Sequence, residues 1–268
     1  MDFTPGFESA DRYWNNRKNV TDLYMKNRTR ESWLGNVAAQ LKAMNIPDGA
    51  HVLDIGGGIG THAIPLALKG CDVTVVEPSP VMQEELNKNL SSSGVGPLTI
   101  IPSRWEEISL VDLGDPFDAV IASYSLSMMD IGEALEKMHA CCRGTVHLFW
   151  FLTPPLWARV SRDLWPLLHG RAYPDGPLAD CLWQVLYEMG IYANIGAEHK
   201  KSTIYESVDE LVREYYQRLN CTSNAQKEIL LAYFSEELRS CGKGFILNGE
   251  SYGAHIWWNS GCLNQPTR

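Results

Sequence analysis

A short apolar run, His51–Ile55, ends in Gly56, Gly57, Gly58, Ile59 and Gly60, and no other segment narrows the fold of this chain so far. Glycines so densely placed leave a tight loop and exclude a helix or a strand. The run before them reads as a strand. Thr61–Lys69 reads as a helix, with Gly70 in the C-cap place. A strand that turns through glycines into a helix aims backbone N–H groups at a ligand, and the missing Cβ atoms let that ligand come close. The next strand, Asp72–Glu77, ends in a carboxylate 21 residues after Gly56. From that position an acid takes both hydroxyls of a ribose. Loop and acid together predict a nucleoside-containing ligand at the switch point of a sheet.

The chain around this pair alternates strand and helix. Residues 17–45 carry apolar positions at 3–4 residue steps, a helix closed by the turn Pro47–Gly49. Ser79 caps a helix that runs to Leu90, with Pro80 at its first position. Leu98–Ile101 and Phe117–Ala122 are strands, Ile131–Ala140 is a helix and Thr145–Leu152 is a fifth strand. Each crossover is long enough for a helix, which predicts a parallel sheet with helices on both faces. Residues 153–194 break the rhythm and are rich in Pro, Trp and Tyr. Helices near 156–168 and 178–189 are expected there, as a helical insertion over the carboxyl ends of the strands. A strand near 193–205, helices at 207–219 and 223–239, and a last strand Ser251–Trp258 complete the chain.

The loop is not a dinucleotide fingerprint, because position 61 is Thr where that pattern needs Gly. It lacks the Lys of a nucleotide-triphosphate loop. Leu53–Gly60 instead resembles motif I of class I S-adenosylmethionine (SAM)-dependent methyltransferases. Val75–Ser79 resembles their motif II and Phe117–Ile121 their motif IV strand. The resemblance runs in order over roughly residues 48–152. It implies an α/β, Rossmann-like SAM methyltransferase fold, with a mostly parallel seven-stranded sheet. It implies a single domain: residues 1–48 as an N-terminal helical lid, 49–152 as the SAM-binding core, 153–194 as the cap and 195–268 completing the sheet.

It also implies SAM as cofactor and S-adenosylhomocysteine (SAH) as product. Gly56 and Gly58 would lie against the methionine part, with Gly57 and Gly60 in the same loop. Asp54 would brace the loop and hold the ammonium side, Glu77 the ribose, and Pro78 would flank the adenine. Arg104 stands where the family often has an acid for the adenine amino group. Trp105 either stacks on the adenine or packs against a helix. At the end of the fourth strand, Ser123 is expected at the cofactor and Tyr124 at the substrate. Trp157 is a further substrate candidate. Trp14 either stacks on substrate or cofactor or pins the first helix to the core. Arg28 or Arg30 either reaches the SAM carboxylate or forms a surface salt bridge. No acid–base pair presents itself as catalytic. Methyl transfer from a sulfonium asks mainly for alignment.

A net charge of −9 argues against a phosphate-backbone partner. The densest basic stretch, 12–30, is diluted by acids and reads as a solvated helix face. The Asn/Asp-Pro-Pro-aromatic signature of amino-methylating nucleic-acid enzymes is absent after the fourth strand. The seven cysteines include no CxxC pair and no metal-ligand spacing with a His; free thiols, no metal and a cytoplasmic location are expected. No apolar run is long enough for a membrane span, and residues 1–10 do not read as a secretory signal. A small-molecule acceptor is expected. An RNA or protein methyltransferase and a non-catalytic SAM-binding protein are the alternatives. The aromatic residues of 153–194 suit a substrate cap or a homodimer contact, and the oligomeric state stays open.

Overall fold

Strands buried on both faces require helices on both faces, and residue alternation along them decides which side chain meets which layer. A computed structural model of the protein describes residues 14–17, 20, 31–200 and 202–262. Arg28 and Arg30, and most of the expected lid, lie outside those residues. In chain order the first elements are α1 (Glu31–Met44), β1 (His51–Ile55), α2 (Ala63–Leu68), β2 (Asp72–Val76), α3 (Pro80–Ser93) and β3 (Thr99–Ile101). Then come β4 (Phe117–Ser123), α4 (Ile131–Ala140), β5 (Cys142–Phe151), α5 (Leu156–His169), α6 (Ala179–Glu188), β6 (Asn194–His199) and β7 (Ile204–Tyr205). The chain continues through α7 (Val208–Arg218), α8 (Asn224–Glu237), β8 (Leu238–Ser240), β9 (Phe245–Leu247) and β10 (Tyr252–Asn259).

Seven strands form the main sheet in the order β3-β2-β1-β4-β5-β10-β6. The pairs among β3, β2, β1, β4 and β5 are parallel, while β10 runs antiparallel between β5 and β6. The expected mostly parallel seven-stranded sheet is therefore the sheet of this protein. Val52, Ala119, Ile121 and Phe149 face the layer of Ala63, Ile64 and Leu86. Leu53, Val120, Ala122 and Leu148 face that of Leu135, Met138, Leu182 and Leu186. Local chemistry sets the helix ends. Ser79 Oγ accepts from the Met82 amide, Pro80 opens α3 and Gly94 closes it at φ 77°. Asp130 caps α4 by accepting from the Glu133 amide.

The segment after β5 differs from the expectation of one cap, although both helices form. Ala179, Leu182 and Leu186 of α6 sit in the layer of α4, so α6 covers the sheet's face as an ordinary crossover helix. Helix α5 joins a separate core with α7, α8 and the small antiparallel sheet β7-β9-β8. The expected strand at 193–205 is two strands in two sheets, and the expected helix over 223–239 stops at Glu237 where β8 begins. Residues 156–170 and 204–247, distant in sequence, thus share one core around Leu164, Tyr215, Leu230 and Phe234. Cys71, Cys141, Cys142, Cys181, Cys221 and Cys241 are free thiols. Among the described residues no helix is long and apolar enough to cross a membrane.

Phe234 is fully buried against Tyr215, ring centroids 5.0 Å apart. Phe234→Ala is expected to destabilise this second core by about 3–5 kcal/mol. Urea unfolding read by tryptophan fluorescence measures it; an unchanged midpoint would show that the second core adds nothing to stability.

Candidate functional site

Strand order reverses between β1 and β4, and that crevice is where an open α/β sheet takes its ligand. The loop after β1 curls back so that the Gly56 amide donates to the Val76 carbonyl at 2.7 Å. Gly56, Gly58 and Gly60 all take positive φ, at 67°, 57° and 84°. Their surroundings separate their roles. A Cβ on Gly56 would lie 2.3 Å from Cβ of Ser125, the residue that ties the loop after β4 to β1 by donating to the Ile55 carbonyl at 2.6 Å. A Cβ on Gly57 would strike Val75 and Asp54, and one on Gly60 would strike Leu86 and Ile64. Those two glycines face core atoms and serve packing. Only a Gly56 carbonyl at 4.0 Å lies near the Cβ position of Gly58, so this glycine leaves open space beside its backbone.

Glu77 leaves the end of β2 and grips that loop. Its Oε2 accepts from the Gly58 amide at 2.9 Å and its Oε1 from the Ser79 amide at 2.8 Å. Each oxygen retains a lone pair for a ribose hydroxyl. Asp54, the fourth residue of β1, is buried; it accepts from the Ala63 amide, while its Oδ2 has no hydrogen-bond partner. Burial raises both carboxyls, and for Asp54 the charge of Glu77 adds to it, so each is pushed up to about 7. Thr61 Oγ1, at the loop's exit, is another buried atom without a partner. Spacing alone does not mark Thr61 as a site residue, although its failure to be glycine is what breaks the dinucleotide pattern.

Other expected residues fall on either side of this crevice. Pro78 is exposed beside Glu77. Trp105 takes the second of its two readings: it is buried against α4, its indole donates to the Ala134 carbonyl at 3.1 Å, and it is not open to stack on a ligand. Arg104 opens the short turn Trp105–Glu107 after β3. Trp14 lies on the Glu77 side of the crevice, beside Ser79. Its carbonyl accepts from Ser79 Oγ at 2.8 Å, and it packs on the cluster of Val20, Ile59 and Met82. The described part of the N-terminal segment therefore covers the corner that holds Glu77.

Ser123 ends β4, half-buried. Tyr124 follows at φ 54°, a left-handed conformation that costs a tyrosine about 1–3 kcal/mol. That backbone turn sends the ring towards Phe151, centroids 4.8 Å apart, and Phe151 meets Trp157 edge-on at 5.9 Å. Trp157 thus reaches Tyr124 through Phe151. The Tyr124 hydroxyl is buried, and its proton finds no acceptor. Beside it stands a residue that the sequence did not single out, Lys200, at the end of β6. Its ammonium lies 5.4 Å from the Tyr124 ring centroid and 2.9 Å from Glu198 Oε2.

Comparison with known proteins agrees with this architecture. Residues 52–144 match the family model described as a methyltransferase domain. An uncharacterised protein of Haemophilus influenzae is 29% identical over 221 residues, which cover 82% of this chain and 80% of that one. The fold superposes on magnesium protoporphyrin IX methyltransferase from Synechocystis PCC 6803 with bound SAH, at a TM-score of 0.55 and 15% identity, over 92% of this chain and 97% of that one. It superposes on the YcgJ protein of Bacillus subtilis at 0.56 and 14%, over 84% and 97%. At such identities the structural likeness speaks for the fold, and the family match speaks for the class of activity. Residues 52–144 thus match a methyltransferase domain, on a fold shared with an enzyme of the class I type, whose methyl donor is SAM. The open side of Gly58, the spare lone pairs of Glu77 and the unpartnered Oδ2 of Asp54 fit that donor.

The acid pair makes stability depend on pH. Both carboxyls hold their protons more tightly folded than unfolded, so their contribution is complete below about pH 4 and is lost as pH rises to about 7. Asp54→Asn removes one of the two titrating groups. Melting temperatures of the ligand-free protein across this window are expected to fall less steeply in the variant; parallel curves would refute the assignment.

Proposed function

We propose that this class I SAM-dependent methyltransferase transfers its methyl group to a small molecule held on the Tyr124 side of the crevice. The observation that carries the reading is the division of the site. A polar cradle of Gly58, Glu77 and Asp54 lies on one side, and an aromatic wall of Tyr124, Phe151 and Trp157 on the other. A wall of half-buried rings suits a compact organic acceptor. The net charge of −9 suits neither an RNA backbone nor an acidic protein surface.

SAM supplies an electrophilic methyl on a sulfonium that leaves without charge. Everything else is positioning. Glu77 orients the ribose by accepting from its hydroxyls, and its two backbone contacts stop the carboxylate from swinging away. Asp54 braces the loop through the Ala63 amide and presents its free oxygen to the ammonium side, directly or through water. The open backbone of Gly58 admits the methionine part. Pro78 borders the adenine, while Arg104 contributes at most a contact at the edge of that pocket. Ser123 lies between the two halves at the end of β4. The aromatic wall keeps water from the acceptor face and sets the line of approach.

Calorimetric titration tests the cofactor half. SAM and SAH are expected to bind the native protein with micromolar affinity, and NAD is not. Gly58→Arg should abolish binding, since the new side chain would occupy the open space at a positive φ. Glu77→Ala should weaken it by about 100-fold or more, since two hydrogen bonds to a charged acceptor are worth about 3 kcal/mol or more. Binding of NAD in place of SAM would overturn the reading. Label from tritiated SAM should pass into the small-molecule fraction of a cell extract; label retained by RNA or protein would overturn the acceptor class.

A further inference from the structure

The mechanism above uses the ring of Tyr124 and leaves its hydroxyl idle, and it does not use Lys200 at all. Both sit at the carboxyl end of the main sheet, contributed by strands separated by β5 and β10. They are brought together over Gly253. A Cβ at that position would lie 2.8 Å from the Tyr124 hydroxyl oxygen, 2.4 Å from Lys200 Cε and 3.0 Å from its Nζ. The first turn of β10 thus needs glycine in order to let the two polar ends converge above it. The pair is also next to the cofactor crevice. Ser125, the neighbour of Tyr124, packs on Gly56, and the charge of Lys200 is felt at His62, just after the glycine loop.

The Lys200 ammonium beside the buried Tyr124 hydroxyl can only donate, so the hydroxyl's own proton is left without an acceptor, which is costly unless a ligand supplies one. Burial raises the Tyr124 phenol above its ordinary pKa, and Lys200 opposes that without overcoming it, so the phenol keeps its proton and acts as a donor. Burial works against the Lys200 ammonium as well, but Tyr124 and Glu198 outweigh it and the ammonium stays charged. A donor and a cation that converge beside a wall of rings describe the recognition of an anionic oxygen on a flat molecule.

We infer that the Tyr124 hydroxyl and the Lys200 ammonium form an anchoring subsite for a carboxylate, and that the acceptor is a planar small molecule bearing one. The inference rests on the small-molecule reading given above. The carboxylate is the anchor and not the methylated atom: it takes a hydrogen bond from Tyr124 and the charge of Lys200. Phe151 and Trp157 flank the flat body. Lys200 is a positioning residue for the acceptor and plays no part in binding SAM.

The test uses the whole chain saturated with SAH and titrates 2-naphthoate and indole-3-carboxylate against their neutral amides. The native protein is expected to prefer at least one acid over its amide by about tenfold or more. Lys200→Met should erase that preference and Lys200→Arg should keep part of it, while SAH affinity stays within about twofold in both. Tyr124→Phe should reduce the preference and leave binding of the amide intact. Gly253→Ala should act like Lys200→Met, because the added methyl displaces a flexible side chain and not the backbone. Equal binding of acids and amides, or a preference that survives in Lys200→Met, would overturn the assignment while SAH binding leaves the cofactor reading standing. Failure of SAH itself to bind would bring both down.

Discussion

The contact between Ser125 and Gly56 is the constraint on which the site depends. At the switch point the loops after β1 and β4 must close on each other, and the Ser125 side chain fills the volume that a Cβ on residue 56 would need. Ser125 then fastens the approach by donating to the Ile55 carbonyl. Everything that faces the crevice takes its place from that junction. The glycine loop is pressed towards Glu77 on one side, and Tyr124 is turned through a left-handed backbone towards Phe151 on the other.

The two acids of the cradle show how such a site stores unfavourable terms until a ligand arrives. Asp54 and Glu77 are both raised by burial, Asp54 also by the charge of Glu77, and both are partnered by backbone amides and not by cations. A buried carboxyl without a counter-charge holds its proton. A ligand that brings a positive centre and a pair of hydroxyls supplies what the folded chain leaves out, so binding and ionisation of the pair are coupled. The strained backbone of Tyr124 and the hydroxyl proton that finds no acceptor follow the same pattern on the other side of the crevice.

The second core supplies Trp157 to the aromatic wall on the Tyr124 side of the crevice. Trp157 belongs to α5, which packs with α7 and α8, and the guanidinium of Arg218 from α7 lies 5.4 Å from its ring centroid. Trp157 is thereby held from behind while its edge meets Phe151 at the rim of the main sheet. One face of the wall is anchored in β5 and the other in a unit assembled from segments on both sides of β6.

What the sequence by itself determined was local and periodic. The glycine run, the acid 21 residues beyond Gly56, the Ser79 cap with Pro80, and the alternation of strand and helix up to Leu152 are each decided by backbone freedom or by the side on which neighbouring residues fall. Tertiary structure alone decided where distant segments meet. It placed Trp105 under α4, where its indole finds the Ala134 carbonyl, although its position after β3 suited an adenine equally well. It gave α5 and α6, read as one cap, to two different cores. It set Lys200 beside Tyr124 across two intervening strands. No periodicity marks that last pair, because the order of strands in a sheet depends on how whole layers bury their apolar faces, while the pattern along each strand records only that a face is buried.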